Sequence, residues 1–117
     1  IEKIKNIIIQ TVHHSDEELK INYSEYIETQ LNRDYAYLSS LFSEIEGITI
    51  EKYIILQKIE RVKELLVYDE LTLSEIAYKM GYSNVAYLSG QFKKVTGLTP
   101  SHFKKVKENK RKPLDEV

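Results

Sequence analysis

Residues 36–49, AYLSSLFSEIEGIT, and residues 86–99, AYLSGQFKKVTGLT, carry one sequence pattern twice, fifty positions apart. In each copy large apolar residues recur three to four positions apart, and a glycine follows the last of them. This spacing predicts an amphipathic helix that ends at a left-handed glycine. The inward positions are Leu38, Phe42 and Ile45 in the first copy and Leu88, Phe92 and Val95 in the second. Repetition at a fixed offset indicates one structural unit used twice.

The composition is that of one ordinary domain, or of two small subdomains that share a helix. The chain has 117 residues, of which 42% are hydrophobic and 30% charged. It contains no cysteine, which excludes disulfides and thiolate metal sites. Its apolar runs are far too short to span a membrane and no secretory signal pattern is present, so we expect a cytoplasmic protein without a membrane partner. Because the chain opens at Ile1 rather than Met, we expect a fragment of a longer protein.

The order of local signals predicts an all-α fold of about seven helices. Strand-like alternation is weak, and the four glycines and two prolines stand at plausible helix ends. The predicted segments are an N-terminal helix and connector (1–21), a first helix-turn-helix (22–48), a long linker helix (49–68), a second helix-turn-helix with a C-terminal helix (69–108) and a charged, frayed tail (109–117).

Polar residues mark the expected ends of these helices. Asn22 and Thr72 are each followed three positions later by Glu, which is the pattern of a capping box. Ser83 is the expected cap of the second repeat helix, and Gly81 is expected to end the helix before it. In the first copy Asn32 stands near the place of that glycine, and asparagine is the next best residue for a positive backbone angle.

The second copy lies in a longer stretch that resembles a known family. Residues 72–105, TLSEIAYKMGYSNVAYLSGQFKKVTGLTPSHFKK, resemble the signature of the AraC/XylS family of bacterial transcription regulators. The resemblance extends over about residues 22–105. It implies a seven-helix domain with two helix-turn-helix units presented to successive major grooves, sequence-specific binding of double-stranded DNA, and regulation of transcription initiation. No enzymatic activity and no cofactor are expected. RNA polymerase and a sensor domain outside this sequence are further candidate partners.

The outward positions of the two repeat helices provide the candidates for contact with DNA bases. Members of the AraC/XylS family often carry arginine or another long donor shortly before the phenylalanine of FKK. In this chain serine, glycine and glutamine stand there. No arginine can therefore contact guanine from these helices. The candidates are Tyr35, Ala36, Ser39, Ser40 and Ser43 in the first unit and Asn84, Val85, Ser89 and Gly90 in the second. Asn84 alone can pair bidentately with adenine, and a capping role for it is equally open.

Charge is distributed unevenly along the chain. Residues 1–50 have a net charge of −5 and residues 51–117 of +4, and the stretch 79–112 holds nine basic residues against one acidic residue. This distribution suits neutralisation of DNA phosphates by the C-terminal half. The phosphate-contact candidates are Arg33, Ser83, Lys93, Lys94, Thr99, Ser101, Lys104 and Lys105. The basic residues from Lys104 onward equally suit a solvated helix end, since cations favour helix C-termini.

Two other functions stay open. The acidic first half could belong to a protein-interaction module with only the second unit on DNA, or the missing arginines could indicate a nonspecific nucleoid-type DNA binder. A metal site is not expected, because the adjacent His13 and His14 point about 100° apart on a helix. Most of the nine tyrosines are expected to pack in the core, among them Tyr26, Tyr53, Tyr78 and Tyr87.

Overall fold

A computed structural model of the chain describes residues 1–14, 21–68 and 70–111. Within these residues the chain forms seven helices and no strand, which confirms the predicted all-α fold. The helices are α1 (Glu2–His13), α2 (Tyr23–Leu31), α3 (Tyr35–Glu46), α4 (Ile50–Tyr68), α5 (Leu73–Lys79), α6 (Val85–Thr96) and α7 (Pro100–Arg111).

The helices form two compact units, and each contains one copy of the repeat. The first unit consists of residues 1–58 and the second of residues 59–117. The boundary falls inside α4, between Lys58 and Ile59. The first half of this long helix therefore belongs to the core of one unit and its second half to the core of the other.

The core of the first unit is built from α1, α2, α3 and the start of α4. Its buried apolar residues are Ile4, Ile8, Val12, Ile27, Leu38, Phe42, Ile50 and Ile54. The first three of these recur every fourth residue, so α1 offers one apolar face to the unit. The rings of Phe42 and Tyr53 pack in a T-shaped arrangement with centroids 5.6 Å apart. Lys5 of α1 forms an ion pair with Glu46 of α3, and its ammonium lies 6.0 Å from the Tyr53 ring centroid.

The core of the second unit repeats this arrangement. Its buried apolar residues are Ile59, Val62, Leu65, Leu66, Ile76, Ala77, Met80, Leu88 and Phe92. Phe92 of α6 packs edge-on against Phe103 of α7, with ring centroids 5.4 Å apart. Because full burial of a large apolar side chain contributes about 1.5 to 3 kcal/mol, Leu88 and Phe92 are major contributors to the stability of this unit. Leu38 and Phe42 hold the matching positions in the first unit, as the repeat predicts.

Most of the predicted helix ends are confirmed. The Asn22 side chain accepts a hydrogen bond from the Glu25 amide, and Thr72 and Glu75 form a complete capping box. These bonds to Thr72 lower the pKa of Glu75. Asn32 has a φ of 52°, the left-handed conformation expected of it, and Gly81 has a φ of 78°.

The cap of α6 differs from the prediction. Asn84, and not Ser83, is the capping residue, and its side-chain oxygen accepts a hydrogen bond from the Tyr87 amide at 2.7 Å. A capping side chain must lie directly before the first helical residue to reach the amide at the third helical position. Because α6 begins at Val85, only position 84 satisfies this condition.

The predicted inward side chains include several that are exposed. Ile45 was expected in the core but is 58% exposed. It lies in the last turn of α3, where Glu46 instead turns toward α1 through its ion pair with Lys5.

Tyr53 is half-buried as expected. The prediction was wrong for the other three tyrosines, since the exposed fractions are 40% for Tyr26, 61% for Tyr78 and 59% for Tyr87. Each adjoins a buried residue in sequence and therefore lies about 100° around the helix from it.

The C-terminal helix is longer than expected. α7 continues past the predicted end at Glu108 to Arg111, so residues 109–111 are helical and not part of a frayed tail. Residues 112–117 of the predicted tail lie outside the described residues. None of the helices described is both long enough and apolar enough to cross a lipid bilayer.

Candidate nucleic-acid interface

The second unit contains a complete helix-turn-helix, formed by α5, a tight turn and α6. At the turn the Tyr82 amide donates a hydrogen bond to the carbonyl of Ala77 at 2.9 Å. The Tyr82 hydroxyl donates to Gln91 of α6, and its ring lies 5.9 Å from that of Tyr87. Burial, with a contribution from Tyr87, raises the pKa of Tyr82 to about 12, so the phenol stays a neutral donor at physiological pH. These contacts fix the direction in which α6 leaves the turn.

The outward face of α6 lies opposite the buried Leu88 and Phe92. Its exposed residues are Ala86, Tyr87, Gly90, Lys93 and Lys94. Among the predicted base-contact residues, Asn84 and Gly90 are exposed, whereas Val85 and Ser89 are half-buried on the flank of the helix. The face thus combines small side chains, one aromatic ring and two ammonium groups, which is a surface that a major groove can approach closely.

Gly90 occupies an exposed mid-helix position without a steric need for glycine. A Cβ placed there has nothing within 4 Å. Glycine inside a helix costs roughly 0.5 to 1 kcal/mol relative to alanine. Gly90→Ala is therefore expected to raise the free energy of unfolding by about that amount, measured by urea denaturation. The control is Gly97→Ala, which should destabilise the chain because Gly97 has a φ of 83°. Destabilisation by Gly90→Ala would contradict the helical geometry at this position.

The first unit contains the corresponding helix-turn-helix, formed by α2, a turn through Asn32, and α3. Asp34 caps α3 by accepting a hydrogen bond from the Tyr37 amide at 3.4 Å. The Tyr35 amide donates to Glu28 of α2 at 2.8 Å, which joins the two helices across the turn. In the first unit Asn32 provides the left-handed turn and Asp34 the helix cap. Gly81 and Asn84 have the same two roles in the second unit.

The outward face of α3 differs in its chemistry from that of α6. Its exposed residues are Ala36, Tyr37, Ser40 and Glu44, and Ser39 and Ser43 are half-buried beside them. Tyr35 does not point outward as predicted. It is half-buried, and its hydroxyl donates to Glu51 of α4 at 2.6 Å. Burial and this hydrogen bond raise the pKa of Tyr35.

Matched positions of the two units differ in charge. Lys94 of α6 corresponds to Glu44 of α3, and both side chains are exposed. Lys93 corresponds to Ser43, and the neutral cap Asn84 corresponds to the carboxylate Asp34. Because DNA carries a negative charge on every phosphate, the face of α6 attracts the backbone, whereas Glu44 repels it.

The remaining phosphate-contact candidates lie at the ends of the repeat helices and on α7. Thr99 caps α7, since its hydroxyl accepts a hydrogen bond from the His102 amide at 3.2 Å. Ser101, Lys104 and Lys105 line a shallow hollow on the surface of α7. The other two candidates, Arg33 and Ser83, are exposed and directly precede the caps of α3 and α6.

Two exposed tyrosines lie on the outward faces of α3 and α6 and are not among the residues predicted to contact DNA. Tyr37 and Tyr87 hold the same place in the repeated AYLS and are 58% and 59% exposed. Each directly precedes a buried leucine, Leu38 or Leu88, and this adjacency in sequence was the available signal of their exposure.

No group of His, Cys, Asp and Glu residues suited to a metal ion occurs in the described ranges, and His13 is instead hydrogen-bonded to Gln57 at 2.8 Å.

Known proteins similar to this chain also contain helix-turn-helix units. A family model described as a helix-turn-helix domain matches residues 27–106. The Msm operon regulatory protein of Streptococcus mutans is 31% identical over 98 residues, which cover 77% of this chain and 35% of that protein. The chain is thus similar to only part of this longer regulator, and it covers 14% of the uncharacterized HTH-type transcriptional regulator YtdP of Bacillus subtilis.

Solved structures share the fold. The C-terminal domain of the two-component response regulator yesN from Fusobacterium nucleatum has a TM-score of 0.72 and 30% sequence identity, with 88% of this chain and 95% of that chain covered. The DNA-binding domain of AdpA, solved in complex with a target DNA, has a TM-score of 0.75 over 94% of this chain and 96% of that chain. At 16% identity, the second likeness concerns the fold alone. With the helix-turn-helix model matching most of its length and two such units in its structure, the chain belongs to the AraC/XylS family of transcription regulators and is a DNA-binding domain of that family.

Proposed function

We propose that this domain binds double-stranded DNA at a preferred sequence to regulate transcription initiation, and that its second unit makes most of the phosphate contacts. The observation that carries this proposal is the pair of exposed lysines, Lys93 and Lys94, on the outward face of a helix-turn-helix. The next helix, α7, adds Lys104 and Lys105 within the same unit. A cluster of cations beside a helix that fits the major groove is the electrostatic pattern of a DNA-binding surface.

The phosphate contacts fix the position of the domain without selecting a sequence. Lys93 and Lys94 are the principal contacts in this proposal. Hydroxyl and ammonium groups at helix starts and on α7 assist them, namely Ser83, Thr99, Ser101, Lys104 and Lys105. Arg33 is the corresponding contact of the first unit.

Sequence preference comes from the outward faces of α3 and α6. Asn84 is the principal base contact, because its amide group can pair with adenine. Its oxygen accepts the capping hydrogen bond from the Tyr87 amide through one of its two lone pairs, so the second lone pair and the amide nitrogen remain for the adenine edge. Val85, Ser89 and Gly90 of α6, and Ala36, Ser39, Ser40 and Ser43 of α3, supply short contacts. Side chains this short leave a large share of the preference to DNA shape and deformability.

Asn84→Ser separates the capping role of Asn84 from its base contact. Serine caps a helix about as well as asparagine, but it lacks the amide group that pairs with adenine. The melting temperature is therefore expected to stay close to that of the parent chain. Affinity for the preferred site should fall by about 1 to 3 kcal/mol, while affinity for random DNA changes little.

The control for Asn84→Ser is Asn84→Ala, which removes the cap as well. This variant should additionally lose roughly 0.5 to 2 kcal/mol of stability. Both affinities are measured by fluorescence anisotropy beside a thermal melt. Equal loss of affinity for preferred and random DNA in Asn84→Ser would remove Asn84 from the base-contact set.

A mobility-shift experiment with selection from genomic fragments, at two salt concentrations, tests the function itself. Enrichment of a common motif supports sequence-specific binding. Tight binding without enrichment would identify a nonspecific nucleoid-type binder. Absence of binding would favour a protein-interaction module, for which the carboxylate-bearing face of α3 is the relevant surface.

The same proposal extends to the partners and location of the whole regulator. RNA polymerase and a sensor domain are partners in keeping with a transcription regulator of which this chain is one part. Such a protein acts on chromosomal DNA in the bacterial cytoplasm. The activity proposed for this domain is DNA binding, for which the exposed faces of α3 and α6 offer the contact groups.

A further inference from the structure

We infer that α3 recognises thymine through its C5-methyl group, with Ala36 and Tyr37 as the contacting residues, so that the half-site of the first unit is defined by A·T pairs. The inference rests on the proposed function and specifies what one of its two helices contacts. It follows from the chemistry of the exposed face of α3, which differs from that of α6.

The exposed face of α3 lacks the groups that distinguish purines. Contacts specific for guanine need arginine or lysine, and contacts specific for adenine need asparagine or glutamine. The face instead holds Ala36, Tyr37, Ser40 and Glu44. Serine hydroxyls bond to donors and acceptors alike. A carboxylate can accept from cytosine, but Glu44 is the tenth residue of α3, far from the N-terminal residues that contact base edges. The thymine methyl is the one major-groove feature that apolar side chains such as alanine recognise.

The flanks of α3 do not restore the missing donors on its exposed face. Arg33, which precedes the cap, shares a shallow hollow with the carboxylate residues Glu28 and Asp34, and we assign it to a phosphate. Asp34 at the start of α3 is an acceptor, already engaged by the Tyr37 amide. The Tyr35 hydroxyl is bonded to Glu51. Ser39 and Ser43 are half-buried hydroxyl residues with no base preference of their own. The apolar contacts therefore carry the discrimination at this helix.

The geometry places the two contacting residues at the end of α3 that enters a groove first. Ala36 and Tyr37 are the second and third residues of the helix. In a helix-turn-helix the N-terminal residues of the second helix contact the base edges. The Tyr37 ring is 58% exposed, so it offers apolar area beside the Ala36 methyl. The N-terminal end of α6 also carries the side-chain amide of Asn84. Recognition of the half-site contacted by α6 therefore does not depend on thymine methyl groups alone.

The experiment begins with the preferred site of the 117-residue chain, obtained by selection from random duplex DNA. The half-site of α3 is then located with a DNA-cleaving iron chelate attached to a single cysteine. The chain contains no cysteine, so Glu44→Cys provides a unique attachment point on α3. Cleavage marks the half-site, and the unlabelled variant must retain the selected sequence.

Each thymine of the site is next replaced by deoxyuracil, which removes one methyl and leaves every hydrogen-bonding group in place. At one or two positions of the half-site of α3, affinity should fall about fourfold per methyl, the value expected for one buried carbon group. In Ala36→Gly the difference between thymine and uracil should vanish at one of these positions. Ala86→Gly is the matched control, because Ala86 holds the same place in α6, and it should keep the difference.

Tyr37→Ser provides a second variant in case Ala36→Gly weakens the helix, and it should abolish the difference at the neighbouring thymine. Unchanged affinity on replacement of every thymine in the half-site of α3 would overturn the inference while leaving the proposed function standing. A half-site of α3 that requires guanine would overturn it equally. Absence of any selected site would instead refute the proposed function, and the inference with it.

Discussion

Phe92→Ala is expected to lower the free energy of unfolding by about 3 to 5 kcal/mol. Phe92 is fully buried and packs edge-on against Phe103 at 5.4 Å between ring centroids. Truncation removes this contact and leaves a cavity between α6 and α7 that rigid helices cannot close. Because small domains have a total stability of only about 5 to 15 kcal/mol, the second unit would be close to unfolding. Urea denaturation followed by circular dichroism measures the change.

The matched control for Phe92→Ala is Tyr87→Ala in the same helix. Tyr87 is 59% exposed, so its truncation should change stability far less. Phe42→Ala is expected to give a loss in the first unit similar to that of Phe92→Ala, because Phe42 is equally buried. An unchanged urea midpoint for Phe92→Ala would mean that the core of the second unit has been assigned to the wrong residues.

The double substitution Lys93→Ala and Lys94→Ala is expected to weaken binding to every DNA sequence. Each lost phosphate contact leaves about one counterion on the DNA, so the plot of log affinity against log salt should flatten by up to about two units. Both side chains are exposed on α6, and the melting temperature should therefore change little. Binding isotherms at four or more salt concentrations give the slope.

Arg33→Ala is the control for the lysine pair and should have the smaller effect. Arg33 shares a shallow hollow with the carboxylate residues Glu28 and Asp34, which offset its charge locally. Glu44→Lys introduces into α3 the cation that α6 has at the matched position 94, and it should steepen the salt dependence by about one unit. A greater loss with Arg33→Ala than with the lysine pair would refute the assignment of phosphate contacts to the second unit.

The helices and their ends were predictable because they depend on neighbours in sequence. The capping box of Thr72 and Glu75 is complete within four residues. The left-handed turn at Asn32 follows from the backbone preference of one residue. The burial of Leu38 and Leu88 follows from the helical period in each copy of the repeat. Each of these features needs no knowledge of a distant residue.

The identity of the outward residues was predicted less well, because it depends on which element covers each side of a helix. Tyr35 has the sequence position of an outward residue, yet its hydroxyl is bonded to Glu51, sixteen residues away. Ile45 has the spacing of a core residue, yet Glu46 takes the position facing α1 by pairing with Lys5. Both outcomes depend on partners that no local pattern specifies.

The all-α fold, the two repeat helices and the family could be predicted from the amino-acid sequence, because helical period, caps and the repeated motif are local properties of the chain. Tertiary packing sets which side chains remain available for DNA. It engaged the oxygen of Asn84 in a cap, turned Tyr35 toward α4 and left Tyr37 and Tyr87 exposed. Whether a residue is covered depends on contacts between helices far apart in sequence, and these form only when the cores around Phe42 and Phe92 pack.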